Sequence, residues 1–131
     1  MNRNKVKIEI WGDNTGFSPY IDTFKSIKDE RTKDRIIKRN RFFEKLEFGQ
    51  LTRSRDQMEK VKVRGLKELW ELKYLITPPF RAVCFIWNDK LVLLMLMAGS
   101  GSDGFLTRFV NNKASTIRRM IESWKNNNNK K

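Results

Sequence analysis

Phe80-Arg81-Ala82-Val83-Cys84-Phe85-Ile86-Trp87-Asn88-Asp89-Lys90-Leu91-Val92-Leu93-Leu94-Met95-Leu96-Met97-Ala98 decides the fold. Phe80–Trp87 is apolar on both alternating faces, apart from Arg81. That pattern predicts a central strand covered on two sides. Asn88-Asp89 has the chemistry of a tight two-residue turn. Lys90–Ala98 then returns as a second apolar strand. Neither segment has the 3.6-residue periodicity of an amphipathic helix, and Leu91–Ala98 is far too short to span a bilayer.

Working outward, Trp70, Leu72 and Tyr74 alternate with Glu71 and Lys73, which predicts a neighbouring strand that begins to form from Val61 onward. Thr77-Pro78-Pro79 ends it, because proline cannot donate to a ladder. Gln50–Lys60 is polar and of mixed charge, and reads as a mobile loop or a short helix. Near the start, Lys5–Trp11 alternates as a half-buried strand with Val6, Ile8 and Ile10 on one face. Gly12-Asp13-Asn14-Thr15-Gly16 is turn chemistry.

Ser18-Pro19 is a helix start, with an N-cap hydroxyl and proline at the first helical position. Ile21, Phe24 and Ile27 follow at helical spacing. A second helix is predicted from about Arg35 to Phe48, with Ile36, Phe43 and Leu46 inward and Gly49 as its stop. After the Gly99–Gly104 loop, a helix is predicted from Phe105, capped by Asp103. Ile117, Met120, Ile121 and Trp124 follow the i, i+3, i+4, i+7 pattern of an amphipathic C-terminal helix. The predicted fold class is α+β: an antiparallel sheet of about four strands with two N-terminal helices and a C-terminal helix. Residues 1–125 read as one domain and 126–131 as a polar tail.

The chain has 131 residues and a formal net charge of +13. Residues 31–67 carry 13 Lys and Arg against 5 Asp and Glu, so most of that excess lies in one stretch. Such a field attracts polyanions, because each phosphate contact releases a counterion. The basic helix and loop residues Lys38, Arg39, Arg41, Arg53 and Arg55 are candidate phosphate contacts, as are Lys60, Lys62 and Lys67 at the entry to the sheet. The alternative is a solvated cationic surface.

There is no histidine, which excludes histidine triads, histidine metal sites and histidine acid–base catalysis. Acid–base work must use Lys, Arg, Tyr, Asp or Glu. The single cysteine, Cys84, lies in an apolar run and reads as a small buried hydrophobe. One cysteine permits no intrachain disulfide, and Met1–Lys7 has no apolar signal segment, so a cytoplasmic protein without a membrane partner is expected. Arg81 needs a partner, with Glu71 or Glu68 available, or a ligand. Trp70 and Tyr74 alternate away from Lys73 and read as core.

Leu69-Trp70-Glu71-Leu72-Lys73 resembles the "LWELR" strand of RelE/HigB-type toxins, including their phage-derived branch. Phe80-Arg81-Ala82-Val83-Cys84-Phe85 resembles that family's next strand, and Trp87–Leu94 its hairpin. The resemblance implies a toxin that cleaves message on the ribosome, needs no cofactor, and is held inactive by a cognate antitoxin of helix-turn-helix type. It places Lys73 at the position of the motif's strand arginine and Arg81 at the arginine of the next strand. With Arg64 just ahead, these are the candidate catalytic residues. The chain departs from the family over Met95–Gly104, where the family's histidine, lysine pair and Thr-Pro helix start are absent. That departure leaves open a non-catalytic member of the fold, which binds a protein or nucleic acid.

Overall fold

The computed structural model describes residues 5–63, 65–99 and 105–129, without the side chains of 105–107 and 129. Its centre is the hairpin of β4 (Phe80–Trp87) and β5 (Lys90–Ala98). Asn88 and Asp89 both take positive φ, 48° and 66°, so the two-residue turn twists with the strands it joins. Register runs from Trp87↔Lys90 to Phe80↔Ala98 and slips once, between Val83 and Cys84. The slip leaves Leu94 as an extra residue in β5. Leu91, Leu93 and Leu96 therefore face one core, while Val92, Leu94, Met95 and Met97 face the other.

The sheet has five strands in the order β1-β5-β4-β3-β2. β1 (Lys7–Ile10) runs parallel to β5, with Lys7 opposite Lys90. The sheet is thus mixed rather than antiparallel, because period-2 alternation assigns faces and carries no direction. Val6 and Ile8 point inward, but Ile10 is exposed and Trp11 enters the opposite core instead.

β2 (Met58–Lys60) and β3 (Trp70–Lys73) complete the sheet and pair antiparallel. Of the two readings of Gln50–Lys60, a loop or a short helix, the helix holds at its start, as the end of α3 (Phe48–Arg53), and the edge strand follows. Between β2 and β3 the chain folds back on itself through a Val63–Leu66 bridge, and Gly65 takes φ 81° there. Val61, Val63, Leu66 and Leu69 are buried from this connection without joining a strand.

Helices cover both faces, which is why β4 and β5 are apolar apart from Arg81 and Lys90 near their ends. One face meets α1 (Pro19–Ser26), α2 (Glu30–Phe43) and α3 through Tyr20, Ile36, Phe43 and Leu51. The other meets α4 (Phe105–Asn112) and α5 (Ala114–Asn129) through Val110, Ile117, Met120 and Ile121. Helix α1 starts as its sequence predicts, with Ser18 accepting from the Ile21 amide at 3.3 Å and Pro19 at the first position.

Helix α2 starts earlier and stops earlier than its periodicity suggests. Asp29 caps it, accepting from the Arg31 amide at 3.1 Å and the Thr32 hydroxyl at 2.8 Å. The carbonyl of Leu46 is taken by the Val6 amide at 2.9 Å, which ties the following segment to the start of β1. Gly49 consequently lies inside α3 and stops nothing. Helix α5 continues to Asn129, through residues read as tail. The Asp103 cap lies outside the described residues.

Three polar side chains join the helical layer to the sheet. Tyr20 and Tyr74 share a hydroxyl hydrogen bond of 2.6 Å, and the Asn40 amide donates to Tyr20 at 3.2 Å. Cys84 is fully buried on the same face. Burial pushes its thiol far above the ordinary value, so almost no thiolate forms near neutral pH. A thiol-reactive dye is therefore expected to label the native protein at the rate of global unfolding. Labelling at the rate of a free thiol would contradict this burial.

Candidate functional site

Along β2, β3 and β4, Met58, Leu72 and Ala82 face the helices α1–α3. Alternation turns Glu59, Glu71, Lys73 and Arg81 to the opposite face. The register makes Glu59 the cross-strand partner of Glu71, and Lys73 the cross-strand partner of Arg81. Four charges therefore form a compact block, two carboxylates beside two cations.

Like charges directly opposite each other repel, so the stability of the block depends on its diagonals. Lys73 Nζ binds Glu59 Oε1 at 2.8 Å, and Arg81 forms an ion pair with Glu71. Lys73 also donates to the Arg55 carbonyl at 3.1 Å, while the Arg55 guanidinium stands 3.9 Å from Glu59. Glu59, on the edge strand β2, is the most exposed of the four, and Glu71 on β3 the least. The side chains are 43% exposed at Glu59, 27% at Lys73, 17% at Arg81 and 10% at Glu71.

The two carboxyl groups are driven in opposite directions. Lys73's hydrogen bond, with further attraction from Lys73, Arg55 and Arg81, holds Glu59 below the ordinary glutamate value. Desolvation raises Glu71 and outweighs the attraction of Arg81 and Lys73. Carboxyl groups separated in this way supply one group that stays ionised and one that gains a proton more readily.

Of the predicted catalytic residues, Lys73 and Arg81 come together, and Arg64 lies outside the described residues. Arg81 takes Glu71 as partner, while Glu68 pairs with Lys125 at 2.6 Å. Lys60 is held locally, its ammonium 5.2 Å from the Trp70 ring centroid and donating to the Lys67 carbonyl at 2.7 Å. Lys60, Lys62 and Lys67 line a groove of about 460 Å³ together with Val61, Val63 and Leu66. Tyr74 is core, whereas Trp70 is half-buried beneath Lys60.

The α2 cations belong to another surface, since α2 packs on the sheet face opposite the charge block. Lys38 and Arg41 are exposed, and Lys38 pairs with Asp34 at 2.9 Å. Arg39 instead folds onto two aromatic rings, 4.7 Å from the Phe42 centroid and 4.9 Å from that of Phe43. Its Nε and one terminal nitrogen are buried without a hydrogen-bond partner among the described residues, and this desolvation lowers its pKa. Arg53 and Arg55 are exposed and precede the edge strand.

Glu59 is the residue that sequence reasoning missed. Its signal was the alternation Met58-Glu59-Lys60-Val61-Lys62-Val63, obscured by the polar residues before it. Among the described residues there is no group of three or more acidic or cysteine side chains placed to hold a metal, and no helix is long and apolar enough to cross a membrane. Compared with protein-family models, curated proteins and solved structures, the chain matches none of them.

Proposed function

We propose that this protein is the toxin of a toxin–antitoxin pair, a RelE/HigB-like endoribonuclease that cuts message on the ribosome in the cytoplasm. The observation that carries the reading is the side-by-side placement of Lys73 and Arg81 on one sheet face. Two adjacent cations suit the doubly charged phosphorane that forms when a ribose 2′-hydroxyl attacks the neighbouring phosphate. The exposed Lys62 and Lys67, with Arg53 and Arg55 near the same edge, supply sequence-independent attraction for the RNA backbone. A cognate antitoxin of helix-turn-helix type is the proposed protein partner.

The test is induction without an antitoxin. Growth arrest with cleaved messages is expected from the wild-type chain. Lys73→Ala combined with Arg81→Ala is expected to abolish both. Arrest that persists unchanged in the folded double variant would sink the reading.

A second reading is favoured by one observation, the neutralisation of both block cations by Glu59 and Glu71. In that case the fold binds a protein or nucleic acid without cutting, and the groove beside Lys60, Lys62 and Lys67 is the contact surface. Purified protein that binds ribosomes or a partner yet leaves ribosome-bound message intact would select this alternative.

A further inference from the structure

We infer that Glu59 is the general base of the cleavage reaction, and that its hydrogen bond to Lys73 returns the proton to the acid. This inference rests on the endoribonuclease reading above and assigns the acid and base within the same charge block. It begins from a difference between the two carboxylates. Glu71 is 10% exposed and engaged with Arg81, so it is a positioning residue that holds the guanidinium. Glu59 is 43% exposed and lies on β2, at the open edge of the sheet. A ribose can reach Glu59 from that edge, whereas Glu71 sits one strand further in.

Protonation state agrees with this geometry. Lys73 and the nearby Arg55 and Arg81 keep Glu59 ionised, as a base must be before it acts. A carboxylate held below its ordinary value is a weak acceptor in isolation. Its usefulness comes from placement beside the cations that hold the phosphate, where proton removal and charge stabilisation occur together.

The step balances without a co-reactant. Glu59 takes the proton of the 2′-hydroxyl as O2′ bonds to phosphorus. The bond from phosphorus to O5′ breaks, and O5′ takes a proton from the Lys73 ammonium. Glu59, now a carboxylic acid, hands its proton to the neutral Lys73 amine through the 2.8 Å contact. Both side chains return to their starting charge. The products are a 2′,3′-cyclic phosphate and a 5′-hydroxyl. Arg81 carries the extra negative charge on phosphorus while Glu71 keeps it in place.

The experiment uses the full chain, programmed ribosomes carrying a defined message, and single-turnover rates between pH 5 and 9. Wild type is compared with Glu59→Gln and Glu59→Asp. Glutamine matches glutamate in shape at this partly exposed edge position, and urea midpoints confirm that each variant is folded. Glu59→Gln is expected to slow cleavage at pH 7 by about 10²–10⁴-fold, the usual contribution of a positioned base. Ribosome binding is expected to stay at the wild-type level.

The pH profile should also change shape. The wild-type rate should lack a rise with pH above pH 5, since its base is already ionised there. The glutamine variant should climb with hydroxide concentration, and Glu59→Asp should restore part of the rate. A folded Glu59→Gln within threefold of wild type, or one slowed with an unchanged profile, overturns the inference. Wild-type protein that leaves the message intact instead overturns the endoribonuclease reading, and this assignment falls with it.

Discussion

Phe85→Ala is expected to lower the free energy of unfolding by about 3–5 kcal/mol. Phe85 is fully buried on β4. Its ring belongs to the core that joins the sheet to α4 and α5. Alanine loses most of the apolar area of that ring and leaves a void, because β4 is clamped by β3 and β5 and cannot collapse inward. A domain of this size has a total stability of only about 5–15 kcal/mol, so about a fifth or more of it is at stake. Urea denaturation should show a lower midpoint with an unchanged slope, and heating a fall in Tm of about 10–20 °C. A loss under 1 kcal/mol would mean that α5 does not pack on this face.

Glu71→Ala is expected to cost about 3 kcal/mol, from a different cause. The side chains of Glu71 and Arg81 are 10% and 17% exposed, so this ion pair is largely desolvated. Removing the carboxylate withdraws the principal opposing charge while the guanidinium stays in a poorly hydrated position. Desolvation raises the Glu71 pKa despite the opposing attraction of Arg81 and Lys73. The folded state therefore holds the Glu71 proton more tightly than the unfolded chain does. As pH rises from the ordinary glutamate value through the raised one, this group alone makes folding less favourable.

Two further measurements separate the charge pairing from the loss of side-chain volume. Glu71→Gln keeps the shape and a hydrogen-bonding oxygen, and should lose less than alanine. A double-mutant cycle of Glu71→Ala with Arg81→Met should show coupling of at least about 1 kcal/mol, because the partner's charge has gone as well. Additive single effects would mean that the two side chains do not interact in solution.

The hairpin, the Trp70–Lys73 strand and the amphipathic C-terminal helix were legible because each has a strong local signature. Ser18-Pro19 and the apolar spacing of Ile117–Trp124 needed no tertiary information to be placed. The direction of β1 was not legible, since it depends on a partner from the far end of the chain. The end of α2 was also hidden, because the chain leaves the helix at Glu44, before Gly49, and the following Leu46 is tied to Val6 near the start of the chain.

The site followed the same division. Lys73 and Arg81 could be placed on alternating strands, and Glu71 could be named as a partner for Arg81. Glu59 could not, because its place beside Lys73 depends on β2 being a strand in register with β3. Nor could the separation of the basic residues onto two faces be read, since a linear cluster carries no information about layers. Arg39 illustrates the limit: it lies among exposed cations in sequence, yet its guanidinium rests on Phe42 and Phe43.

The parallel pairing of β1 with β5 also constrains the order of events during synthesis. The ribosome makes Lys7–Ile10 early, but its sheet partner Leu91–Leu93 emerges only after most of the remaining chain. At about 5–20 residues per second, the first strand waits several seconds with its edge unpaired. Until β5 appears, β1 and the β2–β4 ladder have no strand to join them. The nascent chain must then close its longest loop and complete the sheet in one late step, a slow class of contact to form. Chaperone dependence should therefore concentrate in that interval, and moving β1 behind β5 by circular permutation would remove the delay.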